Sequence, residues 1–243
     1  MPAGAAFADV CHDAGLLSER RTPMSQTQWE PLDFDALYRR AADERAIPWD
    51  IGGPQPSVIM LERDGRIRGE VLDAGCGVGG NAIFLARRGH RVTGVDSAAD
   101  AIAIAKRDAE RQGADVDFTV ADAVTLPGYD GRFDTVVDSA LFHVLDGEQQ
   151  QRYIQCLHRV TQPGAMLAIL CLSEQSPLPG IDEATLRATL APLWPIAEIR
   201  RTEYNALVGP ELVATFPAAS ELPTDEHGQH LLPAWLVRAD RAN

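Results

Sequence analysis

Carboxylates and glycines are the residues best placed to do chemistry in this chain. The run Val71-Leu72-Asp73-Ala74-Gly75-Cys76-Gly77-Val78-Gly79-Gly80-Asn81 sets an aspartate two residues before the first of four glycines. Apolar residues lead into it and the amphipathic segment 82–88 leaves it, so the pattern reads strand, tight loop, helix. Glycines in such a loop let the backbone close on a ligand seated at the helix N-terminus. Gly75-x-Gly77-x-x-Gly80 also fits the fingerprint that cradles a dinucleotide pyrophosphate. Asp73 argues against that ligand: a carboxylate at the strand's carboxyl end repels a diphosphate and attracts a cation with a free ammonium group.

Three more aspartates sit at or just after the ends of strand-like runs. Asp96 closes 91–96 and lies 16 residues beyond Gly80, which suits a carboxylate accepting both ribose hydroxyls of an adenosine. Ser97 behind it reads as the N-cap of the next helix, with Asp100 completing a capping-box-like pair. Asp122 follows the run 116–120. Asp138 ends 133–138 and is succeeded by Ser139-Ala140-Leu141-Phe142-His143. An imidazole with an ordinary pKa of about 6.5 suits proton transfer near neutrality, so His143 is the candidate general base. Orienting a substrate and satisfying a backbone group are its alternative roles. Glu226, His227 and His230 have no third ligand at a useful spacing and read as solvated loop, so no metal is expected.

These residues require a scaffold that gathers strand ends. Helical patterns over 57–63, 149–160 and 182–193 alternate with strand patterns over 69–74, 91–96, 116–120, 133–138 and 165–172, and strands 196–205 and 234–239 follow. The order predicts an α/β fold with a doubly wound, mainly parallel seven-stranded sheet and one antiparallel C-terminal strand. Asp73, Asp96, Asp122 and Asp138 then all fall at carboxyl ends, where open sheets of this kind bind ligands. The interval 207–232, with Pro210, Pro217 and Pro223, is expected to be a substrate lid.

Composition narrows the partners. The formal charge is -13 over 243 residues, and 22 Lys and Arg against 35 Asp and Glu argue against a general nucleic-acid binder, leaving a small molecule as the expected partner. Cys11, Cys76, Cys156 and Cys171 form no CxxC pair and read as reduced thiols. No apolar run reaches the ~20 residues of a membrane helix, and Asp9 and Asp13 interrupt any signal-like core, so a cytoplasmic location without membrane insertion is expected. Residues 1–23 read as a mobile tail, or through the helical scrap 7–17 as a cap. The remainder, 24–243, is read as one domain with an N-terminal cap over 24–64. Oligomeric state is not encoded in any feature of the sequence.

Val-Leu-Asp-Ala-Gly-Cys-Gly-Val-Gly resembles motif I of the class I S-adenosylmethionine (SAM)-dependent methyltransferases, and 133–145 resembles their motif IV region. Trp49-Asp50-x-Gly52-x-Pro54-Gln55-Pro56 is most similar to the small-molecule group that methylates heterocyclic toxins, near the enzymes acting on thiopurines. The resemblance is good over 47–172, loose in the terminal strands and absent over 1–23. It implies a Rossmann-like fold, SAM as cofactor, S-adenosylhomocysteine as product, and methyl transfer to N, O or S of a small aromatic or heterocyclic acceptor. It further implies that Asp73, Gly75, Cys76, Gly77, Asp96 and Ser97 hold SAM. On the same grounds Asp122 accepts from the adenine amino group while the Ala123 backbone meets the ring. Trp49 would close the pocket over SAM, the alternative being a plug in the core. Asp138 would lie near the methionine moiety or the acceptor, and Phe142 would wall the acceptor beside His143. The alternatives are a methyltransferase of an isoprenoid quinone or other lipid-like metabolite, and a domain that binds SAM without transfer.

Overall fold

The computed structural model describes residues 38–39 and 47–242. The expected tail 1–23 and most of the cap before Ile47 lie outside these residues. Helix α1 (Pro56–Arg63) begins on a proline, whose fixed φ and missing N–H suit a first helical position. Strand β1 (Glu70–Ala74) follows and is buried from Val71 onward, because helices pack on both faces of a parallel sheet. The glycine loop leads into α2 (Gly80–Arg87), and then come β2 (Arg91–Asp96), α3 (Ala99–Gln112) and β3 (Val116–Val120). Gly113 ends α3 in the left-handed conformation that favours glycine.

Strand β4 (Phe133–Ser139) runs into a short 3₁₀ turn over Phe142–Val144 and then into α4 (Gly147–Val160). Asp146 and Gln149 form a reciprocal capping box at the start of α4. Strand β5 (Thr161–Leu172), α5 (Glu183–Leu190), β6 (Ile196–Ala206), α6 (Pro210–Thr215), a 3₁₀ turn over Pro217–Glu221 and β7 (His230–Asp240) complete the chain.

The strands form one sheet in the order β3-β2-β1-β4-β5-β7-β6, with β7 antiparallel to both neighbours and the other pairs parallel. This is the doubly wound sheet with one reversed C-terminal strand that the element order predicts. Several local expectations differ. Ser97 does not cap α3: the N-cap is Ala98, and the Asp96 carboxylate accepts its amide instead. Pro163-Gly164 does not precede β5 as a turn but sits inside it at a register shift against β4, where an irregular pair tolerates a residue without an N–H. The interval 207–232 carries two short helical pieces, and β7 begins four residues before the expected 234.

Side chains alternate across the sheet, and the core divides accordingly. Val71 and Val137 face the layer of α1, α2 and α3, with Tyr204 and Leu232 from the reversed edge. Leu72, Ala74 and Val136 face α4 and α5, where Phe142, Tyr153 and Trp194 are fully buried.

Candidate active site

The carboxyl ends of β1, β2 and β4 meet at the glycine loop. Register sets Asp73 beside Gly94 and Val137, and Ala74 beside Val95 and Asp138. Neighbours in parallel register point the same way, so Asp73 and Asp138, one residue out of step, leave opposite faces of the sheet. Two carboxylates that look equivalent in sequence therefore enter different surroundings.

Asp73 is 1% exposed and neither carboxyl oxygen has a hydrogen-bond partner. Burial pushes its pKa up to about 7, helped by Asp138 and Asp96 and opposed by the Ala82 amide. An unsatisfied buried carboxyl beneath a glycine loop is expensive alone and is suited to a cationic group above it.

The loop itself is pinned from below. The Gly75 and Cys76 amides both donate to the Val95 carbonyl at 2.9 Å, and the Gly77 amide donates to Asp96 Oδ2 at 2.9 Å. Asp96 Oδ1 accepts from the Ala98 amide at 2.9 Å, which ties the carboxylate to the loop on one side and to the start of α3 on the other. Gly75 has φ +70, and a Cβ there would stand 2.8 Å from Leu141 Cβ. At Gly77, φ +53, a Cβ would approach the Tyr38 hydroxyl to 3.0 Å. Only glycine permits both the turn and the close approach.

Above the loop lies the segment that begins at Ile47. Trp49 Nε1 donates to the Tyr38 hydroxyl at 2.8 Å, with the two rings edge to face. The Gln55 amide donates to Asn81 Oδ1 at 2.9 Å, while its side chain exchanges hydrogen bonds with the backbone of Asn205 on β6. Leu207 N donates to the Pro48 carbonyl, and Asn205 Nδ2 donates to Asp225 within the 207–232 interval. Between this segment and the glycine loop is a cavity bordered by Trp49, Asp50, Gly75, Gly77, Ser139 and Tyr204.

The other expected site residues are placed as follows. Asp138 is 1% exposed and serves three donors: Oδ1 accepts from the Leu141 amide at 3.0 Å and the Phe142 amide at 3.3 Å, and Oδ2 from the Tyr153 hydroxyl at 2.9 Å. Burial raises its pKa to about 7 against the pull of those donors. Phe142 is fully buried beside Tyr153. His143 is 8% exposed, its Nδ1 accepts from the Leu172 amide at 3.4 Å, and burial lowers its pKa to about 3. Asp122 is exposed and accepts from the Val124 amide at 3.0 Å, with Ala123 buried next to it, while Ser97 is exposed beyond Asp96. No group of three His, Cys, Asp or Glu side chains among the described residues is arranged to hold a metal.

Ser139 and Tyr204 line the cavity and were not read from the sequence as site residues. Ser139 had a signal: it shares the parity of Val137 and hence the face of Asp73. Tyr204 had none, because only strand pairing brings β6 to the site.

A protein-family model described as a methyltransferase domain matches residues 71–164. The 2-heptyl-1-hydroxyquinolin-4(1H)-one methyltransferase of Mycobacteroides abscessus is 35% identical over 218 residues, which is 86% of this chain and 96% of that protein. The chain belongs to the class I SAM-dependent methyltransferases. A structure solved in work on the conversion of a disulfide bond into a thioacetal group during echinomycin biosynthesis is 34% identical, with a TM-score of 0.74 and coverage of 86% of this chain and 91% of that one. The 1,6-didemethyltoxoflavin-N1-methyltransferase of Burkholderia thailandensis, solved with 1,6-didemethyltoxoflavin and S-adenosylhomocysteine bound, is 20% identical with a TM-score of 0.64. It covers 100% of this chain and 94% of its own, a likeness of fold. The methyltransferase therefore binds SAM and methylates a small molecule. None of its described helices is long and apolar enough to cross a membrane.

Proposed function

We propose that this methyltransferase transfers the methyl group of SAM to a heteroatom of a small heteroaromatic acceptor of the quinolone kind. The observation that carries the reading is the 35% identity, over nearly the whole length, to a methyltransferase named for 2-heptyl-1-hydroxyquinolin-4(1H)-one.

The residues fit the cofactor. Asp96, held at the end of β2 by the Gly77 and Ala98 amides, would take the ribose hydroxyls, and the exposed Asp122 with Ala123 would meet the adenine edge. Asp73, unpartnered under the glycine loop, would compensate the cationic end, and Gly75, Cys76 and Gly77 would let the backbone close on it. Ser97 extends the rim beside Asp96. Bound there, SAM would supply an electrophilic methyl group on a sulfonium whose departure leaves a thioether.

The protein's part is then alignment and exclusion of water. Trp49 and Tyr38 cover the loop, and the bonds from Gln55 to Asn81 and Asn205 hold that cover to α2 and β6. Asp138 fixes the turn after β4 by holding the Leu141 and Phe142 amides, which makes it a positioning residue. His143, neutral at working pH, braces the Leu172 amide in the same wall. An acceptor that arrives as its conjugate base needs no protein group to take its proton.

The test is incubation of the enzyme with SAM and 2-heptyl-1-hydroxyquinolin-4(1H)-one, read by mass spectrometry. A product carrying one added methyl supports the reading. Methylation confined to isoprenoid quinones in a parallel panel would replace it.

A further inference from the structure

Ser139 ends β4 and points to the face opposite Asp138, the same face as Val137 and Asp73. Its hydroxyl oxygen is buried at the cavity, beside the Tyr204 phenol. Ala140, the next residue, has φ +80, a conformation that costs a residue with a Cβ and persists only where its surroundings impose it. Here they do: the Ala140 amide donates to the Leu170 carbonyl at 2.9 Å, and Asp138 holds the two amides that follow Ala140. The chain thus turns sharply just past Ser139 and leaves its hydroxyl at the cavity wall.

Tyr204 comes to the same wall from the carboxyl end of β6. Its phenol lies near the Ser139 hydroxyl and the Gln55 carboxamide, both of which oppose the upward push of burial on its pKa. The push dominates, so the phenol keeps its proton and remains a donor. Asn205, its neighbour, is bonded in both directions to Gln55, which fixes the strand that carries the ring.

Position decides what the pair meets. In the order β3-β2-β1-β4-β5-β7-β6, Asp96 and Asp122 mark the ends of β2 and β3 on one side of the glycine loop. Ser139 and Tyr204 lie on the other side. A cofactor with its adenosine over β2 and β3 presents its reactive end toward β4, with the two hydroxyls beyond it.

We propose that Ser139 and Tyr204 form a hydroxyl pair that holds the oxygen of the methyl acceptor and selects heteroaromatic acceptors bearing a hydroxyl or N-hydroxyl group. This rests on the heteroaromatic reading above. Two hydroxyls can both donate to an oxyanion, or one can donate while the other accepts from a neutral hydroxyl. An acceptor lacking the oxygen would leave the two hydroxyls only each other and Gln55 to engage, forfeiting the bonds that an oxygen-bearing acceptor makes, which is how such a site discriminates.

The experiment compares Ser139→Ala and Tyr204→Phe with the wild type, using 2-heptyl-1-hydroxyquinolin-4(1H)-one as acceptor and SAM affinity by calorimetry as the control. Each variant should raise the acceptor KM by about tenfold while SAM Kd moves by less than about twofold. Ser139→Ala removes a single oxygen at the cavity wall and leaves Tyr204 its Gln55 neighbour, so it carries the test even if Tyr204→Phe unfolds. An unchanged acceptor KM overturns the proposal. So does a loss of SAM affinity equal to the rise in KM, which would assign the hydroxyls to the cofactor. A wild type that binds SAM yet leaves this quinolone unmethylated refutes the acceptor class, and the role of the pair with it.

Discussion

Replacing Asp138 by asparagine should stabilise the enzyme at alkaline pH and hardly change it in acid. The carboxyl is buried, serves the Leu141 and Phe142 amides and the Tyr153 hydroxyl, and has a pKa raised to about 7. A raised folded pKa means that the native state binds the proton more tightly than the unfolded chain, so stability is fully present below the unfolded value of 3.8 and is lost as pH rises toward about 7. Integrated between pH 5 and pH 8, this single group removes roughly 2–3 kcal/mol of unfolding free energy. Asparagine has no charge to bury, can still accept both amides, and can present its NH₂ to the Tyr153 oxygen, so it escapes that loss. Asp73, whose pKa Asp138 helps to raise, is present in both proteins and is relieved by the substitution, a change of the same sign. Urea denaturation of the two proteins at pH 5, 6, 7 and 8 measures the difference directly. The stability of Asp138→Asn relative to wild type should climb by about 2–3 kcal/mol across the series. A constant difference, or one moving the other way, would mean that the three donors hold the carboxylate ionised and that burial is the weaker influence.

Two further outcomes follow from the site. Because burial lowers His143 to about 3, the pH profile of kcat in His143→Gln should superimpose on that of wild type between pH 5 and 9 after scaling; loss of an inflection near 6.5 in the variant would make His143 the general base. Asp96→Ala removes the acceptor for the Gly77 and Ala98 amides together with the proposed ribose contact, and charge-assisted hydrogen bonds of about 1.5–3 kcal/mol predict SAM binding weakened roughly 10- to 150-fold by calorimetry. A Kd unchanged within about twofold would remove Asp96 from the cofactor site.

Much of this enzyme is written in short stretches of its sequence. Buried strands announce themselves by apolar runs, tight turns by glycine, and an adenosine-binding sheet by acids at strand ends, so β1, β2 and β3, the glycine loop and the order of elements were legible from local chemistry. Those features depend on residues within one turn or one strand of each other. What the sequence did not contain was the environment of each polar group. Asp73 and Asp138 stand alike at strand ends, yet a one-residue difference in register sends the first under the glycine loop without a partner and the second into a shell of three donors. His143 reads as a base until the packing of β5 around it removes the water its charged form would need. Tyr204 lies 65 residues beyond Ser139 and reaches the same wall only because β6 pairs with β7 and its neighbour Asn205 with Gln55. Burial and pairing between distant segments set the protonation, accessibility and partners of a side chain, and those are properties of the assembled sheet rather than of any stretch of the chain.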